Sequence, residues 1–155
     1  MAEVSFALRA VGPADRELLW EIFRSSRAGP LADLPEALLR MQQRAQEAAY
    51  DAAYGGAENS LILVSGRPAG RVLVWRSELE HRVVDIAILP SERGRGLATA
   101  VLRSIIEEAR DSAKPLRLTV ATDNPAALRL YRRLGFEITA GDALNLALEM
   151  SPSSS

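Results

Sequence analysis

Apolar and polar residues follow two periods along this chain, and each switch between them marks an element. Residues 4–11 alternate and close on Gly12-Pro13, which predicts a strand and then a helix with proline at its first position. In "ADRELLWEIFRSS" a helical period sets Leu18, Leu19, Ile22 and Phe23 on one side. Gly29-Pro30 and Pro35 break the pattern, and Pro35 opens a second helix through "EALLRMQQRAQEAAYDAAY" that Gly55-Gly56 ends.

The middle of the chain changes to period two. "SLILVSGRPAGRVLVWRS" reads as two strands joined at Ser65-Gly66-Arg67-Pro68, and residues 82–89 form a third antiparallel run after the polar turn "ELEH". Residues 96–111 return to helical spacing, with Leu97, Val101, Leu102, Ile105 and Ile106 on one face. Lys114-Pro115 introduces the strand "LRLTVA", and the helix "PAALRLYRRL" stops at Gly135. Two short runs, "FEITA" and "LNLALEM", turn about Gly141-Asp142. The order is β-α-α-β-β-β-α-β-α-β-β. It defines an α/β fold with a mixed sheet, because three successive strands have no helix between them.

Composition narrows the chemistry. At 155 residues the chain has the length of one domain, expected over residues 1–150 with a disordered tail at 151–155. A net charge of −1 provides no field for nucleic acid or an anionic membrane, so neither is expected as a partner. With no cysteine and a single histidine, disulfides, thiolate nucleophiles and multi-histidine metal sites are excluded, and no metal is expected. The absence of a signal-like start or a long apolar run predicts a cytoplasmic protein. His81 lies in the polar turn, where a solvated side chain is expected.

The most informative stretch is "DIAILPSERGRGLATAVL", where an apolar strand passes through glycines and arginines into a helix. A helix start offers unpaired N–H groups and partial positive charge. Gly94 and Gly96 would let an anion approach the backbone, and Arg93 and Arg95 would add charge. A plain turn with solvated arginines fits the spacing equally well. Two nucleotide motifs are excluded: Thr99 stands where the Rossmann fingerprint needs its third glycine, and the Gly-Lys-Ser/Thr of a P-loop is absent.

Arg93-Gly94-Arg95-Gly96-Leu97-Ala98 resembles the signature Gln/Arg-x-x-Gly-x-Gly/Ala of the GNAT acyl-CoA-dependent N-acyltransferases. "NPAALRLYRRLGF" resembles the family's second signature, and the element order agrees over almost the whole chain. The resemblance implies acetyl-CoA as co-substrate, held in a V-shaped opening between the strand ending at Leu89 and the strand over 116–121. Ile86, Ala87 and Ile88 would line the pantetheine arm, and the backbone from Gly94 through Leu97 and Ala98 to Thr99 would hold the diphosphate. Asn124 caps its helix and, by resemblance, also meets the arm. The oxyanion donor is expected among the strand N–H groups near Ile88.

Acyl transfer to an amine needs a neutral nucleophile, an oxyanion donor and a proton for the thiolate. Tyr131 matches the family tyrosine near the sulfur, where it would act as the acid; its other reading is a core aromatic. Thr119 stands where relatives sometimes carry a basic glutamate, so that assignment fails here. Asp85, set among Val83, Val84, Ile86 and Ala87, is the first choice as base, and an ion pair with an arginine explains it equally well. Gln42, Gln46 and Tyr50 form one stripe of the second helix, either lining an acceptor pocket or simply solvated. The expected function is acetyl transfer from acetyl-CoA to a primary amine on a small molecule, peptide or protein. The competing readings are a catalytically silent acyl-CoA-binding module and a purely structural partner. A homodimer is compatible with either use of the CoA site.

Overall fold

A computed structural model describes residues 4–27 and 33–152. Its elements are β1 (Ala7–Ala10), α1 (Arg16–Ser25), α2 (Glu36–Ala53), β2 (Glu58–Val64), β3 (Arg67–Arg76), β4 (His81–Ile88), α3 (Leu97–Asp111), β5 (Leu116–Ala121), α4 (Pro125–Leu134), β6 (Glu137–Gly141) and β7 (Asn145–Met150). The predicted order and the mixed sheet both hold. The expected break at Gly29-Pro30 and the last three residues of the expected tail lie outside the described residues.

One seven-stranded sheet runs in the order β1-β2-β3-β4-β5-β7-β6. Successive side chains of a strand point to opposite faces, and Leu61 and Ile62 are both fully buried, so both faces are covered. On one side α3 lays Leu97, Val101, Leu102, Ile105 and Ile106 into the main core. Burying each such aliphatic side chain stabilises the fold by roughly 1.5–3 kcal/mol. A smaller cluster joins Trp20, Phe23 and Leu39 of α1 and α2. Trp20 was not on the predicted stripe; α1 packs against both α2 and the strands β3 and β4, so it buries more than one face.

The fold also corrects the reading of His81. Ser77 closes the preceding turn, with its N–H donating to the Glu80 carbonyl (2.9 Å) and its hydroxyl accepting from the Glu80 N–H (3.1 Å). The strand therefore starts at His81, whose N–H donates to the Pro115 carbonyl at 3.0 Å. Pairing with β5 carries the imidazole inside, where it is 4% exposed and Nδ1 has no hydrogen-bond partner. Desolvation lowers its pKa, against the opposing pull of Glu108 at 3.6 Å.

Candidate active site

The site begins where the sheet comes apart. β4 and β5 form the parallel pair, yet they share only the registers His81↔Leu116 and Arg82↔Arg117. Just beyond, β4 carries a bulge: Val74 opposes Val83 and Leu73 opposes Asp85, leaving Val84 unpaired. A bulge bends and twists its strand. It coincides with the parting of β4 from β5 and opens a 610 Å³ cleft, lined on the β4 side by residues from Arg82 to Ala87. On the other edge of β4, Gly70 permits very close approach: a Cβ there would stand 2.3 Å from the Ala87 carbonyl oxygen.

Strand N–H groups alternate in direction. The Leu89 N–H turns back to the Ala69 carbonyl at 2.8 Å, so the N–H groups of Ile88 and Ile86 point away from β3; Ile86 and Ala87 line the cavity, whereas Ile88, also expected there, lies beyond its lining. Arg93 Nε donates to the Ile88 carbonyl (2.9 Å), and Arg93 Nη2 donates to the Ser25 carbonyl (3.3 Å). Arg93 thus ties the end of β4 to α1, and these bonds use the guanidinium that the sequence assigned to an anion.

The turn that follows is built from main chain. Gly94 and Gly96 have φ of 76° and 80°, a left-handed conformation that side chains disfavour. Among the described residues, no backbone carbonyl accepts from the N–H groups of residues 94–99; the first helical bond of α3 runs from Ala100 N–H to the Gly96 carbonyl at 3.0 Å. Six successive donors at a helix start form an anion cradle. The turn leads directly from the β4 end of the cleft, although it does not line the cavity itself. The Arg95 side chain is largely exposed, 4.0 Å from Glu92.

Tyr131 and Asp85 both line the cavity. Tyr131, 9% exposed and set edge-on to Phe136, has its pKa pushed up to about 12 by burial and then by the Asp85 charge. It therefore stays a proton donor at all physiological pH. Asn124 Oδ1 accepts from the Ala127 N–H (3.2 Å) as the expected cap of α4, and it also lines the cleft. Asp85 has both of the environments weighed for it. Its Oδ2 lies 3.7 Å from Arg71 Nη1, and it faces the cavity. Desolvation raises its carboxyl pKa more than the Arg71 guanidinium lowers it.

Sequence reasoning missed Arg71, which is 5% exposed and organises this corner. Its fork meets Glu47 at 2.5 and 3.0 Å, and Nε donates to Asn59 Oδ1 at 3.0 Å. A lone arginine in "AGRVLVW" was the available signal, because a buried charge requires a partner. Gln46 and Tyr50 of the predicted α2 stripe line the cavity; Gln42, one turn earlier, is exposed and outside the lining. Thr119, Tyr54 and Asn145 complete the polar wall. Among the described residues, no group of three metal-ligating side chains converges, and no helix is long and apolar enough to cross a membrane.

A sheet parted at its parallel pair, an N–H-lined turn at the end of one parted strand and a buried tyrosine in the gap make up the arrangement that the resemblance of the two signatures implies. A family model described as the acetyltransferase (GNAT) family matches residues 16–136. The L-methionine sulfoximine/L-methionine sulfone acetyltransferase of Pseudomonas paraeruginosa is 30% identical over 151 residues, covering 88% of this chain and 83% of that protein. The N-alpha-acetyltransferase RimI of Mycobacterium tuberculosis is 41% identical over 58 residues, 37% of this chain, and the match spans only 35% of its own length. The PaiA N-acetyltransferase of Thermoplasma acidophilum, solved in complex with coenzyme A, superposes with a TM-score of 0.74 at 14% identity, covering 96% of this chain and 99% of that one. The chain belongs to the GNAT family of acetyltransferases.

Proposed function

We propose that this protein transfers the acetyl group of acetyl-CoA to a primary amine by direct attack in a ternary complex. The observation that carries this reading is the meeting of the open β4 edge, Asp85 and Tyr131 in one cleft that leads to the donor-lined turn. The residues fit the co-substrate: the turn supplies N–H donors for a diphosphate, and the unpaired edge of β4 supplies donors and acceptors for the amides of the arm.

The amine must arrive neutral. Asp85, directly or through water, takes the proton that the acceptor ammonium gives up, and its raised pKa makes it a better base than an ordinary carboxylate. As the amine's lone pair forms the C–N bond, the Ile86 N–H, on the stretch of β4 that lines the cleft, stabilises the carbonyl oxygen's developing charge. When the C–S bond breaks, Tyr131 donates its hydroxyl proton to the sulfur, and the surplus proton on the nitrogen of the new amide passes through water to the tyrosinate, which restores the phenol. A tyrosine at about 12 is a weak acid against a thiol near ~8.5 in water, but the same desolvation makes a thiolate in this cleft more basic and narrows the gap. Gln46 and Tyr50 line the acceptor end.

The reading includes one catalytic domain over residues 1–150 in the cytoplasm, with the outer edges of β1 and β6 as the places where a homodimer would form. Steady-state kinetics of Tyr131→Phe beside calorimetric titration with acetyl-CoA test the chemistry. Turnover should fall by about 10²–10³ while affinity changes by less than about threefold. Equal turnover in the variant would remove Tyr131 as the acid.

A further inference from the structure

Three arginines line the cleft, and two of them are neutralised. Arg71 is forked onto Glu47, and Arg82 Nε donates to Glu80 Oε2 at 2.8 Å. Arg27, just past the end of α1, is different. Its guanidinium carbon sits 4.0 Å from the centroid of the Phe23 ring, and Nε is buried without a hydrogen-bond partner. Among the described residues its side chain has no carboxylate or carbonyl partner.

A buried donor left unpaired is costly, and stacking on an aromatic face fixes the plane of a guanidinium before any ligand arrives. The guanidinium is therefore held in a fixed plane on the cleft wall, and its two terminal nitrogens match the two oxygens of a carboxylate. Asp85 stands in the same cleft and is close enough to feel the Arg27 charge, as is Tyr50. One cleft thus presents an anion to an ammonium and an unpaired cation to a carboxylate. A simple polyamine has nothing for the cation, and the amino terminus of a peptide has its nearest carboxyl tied up in an amide. A free amino acid carries both charged groups on one carbon. The α1 wall beside Arg27, with Leu19, Ile22 and Phe23, is apolar and suits a side chain of moderate size.

We infer that the acceptor is a small amine bearing its own carboxylate, a free amino acid, with Arg27 holding the carboxylate and Asp85 facing the amine. This rests on the acetyl-transfer reading and makes Arg27 the residue that sets acceptor specificity.

The test is kcat/KM, with acetyl-CoA as donor, for the standard L-amino acids and their C-terminal amides. It is measured for the unaltered protein, Arg27→Gln and Arg27→Lys, with acetyl-CoA affinity determined by calorimetry for each. At least one amino acid should exceed its amide by about tenfold to a hundredfold, mostly through KM. Arg27→Gln should shrink that ratio to below about threefold, Arg27→Lys should keep part of it, and all three proteins should bind acetyl-CoA alike. Amides used as well as acids by the unaltered protein, or an equal loss on both substrates in Arg27→Gln, would overturn the inference. Weakened acetyl-CoA binding in Arg27→Gln would assign the guanidinium to the co-substrate instead, also against it. If acetyl-CoA binds and no acid is acetylated, the inference fails and acetyl transfer stands with another acceptor. If acetyl-CoA does not bind at all, the transfer reading fails first.

Discussion

The two ends of the candidate site, the turn after β4 and the cleft it leads from, are made from different materials. At the turn after β4 the chemistry belongs to the main chain: two left-handed glycines and six open N–H groups within residues 94–99. The neighbouring arginine side chains are turned to other uses, Arg93 to the carbonyls of Ile88 and Ser25 and Arg95 to the vicinity of Glu92. At the other end, inside the cleft, the chemistry belongs to side chains that arrive separately, Arg27 from beyond α1, Tyr50 from α2, Arg71 from β3 with Glu47 of α2 paired to it, and Asp85 from β4. An end built from backbone should respond to conformation and tolerate changes of charge. An end built from paired side chains should do the reverse.

The largest effect that separates them is expected at Asp85. Asp85→Asn should lower kcat/KM by about 10²-fold and abolish the acid limb of the pH–rate profile, which in the unaltered protein lies above the ordinary carboxylate range because the Asp85 pKa is raised. The same variant should unfold at a higher temperature at neutral pH. A raised folded-state pKa means that between the unfolded value, about 3.9, and the folded one the native state binds more protons than the unfolded state. Stability from this group is therefore present at low pH and is lost as pH rises through the raised pKa. A neutral asparagine avoids that loss. An unchanged pH profile in the variant would assign the acid limb to another group.

A smaller effect tests the other end. A Cβ at Gly94 meets nothing within 4 Å, so Gly94→Ala introduces backbone strain without a clash. The left-handed penalty of about 1–2 kcal/mol should weaken acetyl-CoA binding by about fivefold to thirtyfold. The smallest effect belongs to Arg95→Ala, which removes a largely exposed charge and should cost less than about threefold in affinity. If Arg95→Ala costs more than Gly94→Ala, the backbone account of the turn is wrong.

The same contrast explains what could be read from the chain without coordinates. The turn is contiguous, and glycine is tied to a local conformation, so Gly94 and Gly96 were legible, as were the Asn124 cap and the stop at Gly135. The opening between β4 and β5 was expected from resemblance and appears in the register, whereas the bulge at Val84 carries no local mark in the sequence. Arg71 and Glu47 are 24 positions apart, and only the packing of α2 against the sheet brings them together. His81 was misplaced because its polar neighbours suggested a turn. Its alternation with Val83, both buried while Arg82 and Val84 are partly exposed, was the pattern that placed it in the strand. Arg27 had no sequence signal, because what distinguishes it is its stacking on Phe23 and, among the described residues, the lack of a carboxylate partner in three dimensions.

The most direct test of the central claim is a calorimetric titration of acetyl-CoA into the purified protein and into Gly96→Pro. Gly96 has φ of 80° at the start of α3, and proline, fixed near −65°, cannot adopt that conformation. Binding at about one site per chain that is lost in a still-folded Gly96→Pro is the predicted result. No binding to the unaltered protein, or equal binding to both, would contradict the assignment of the donor-lined turn to the diphosphate and, with it, the account of this cleft as an acetyl-transfer site.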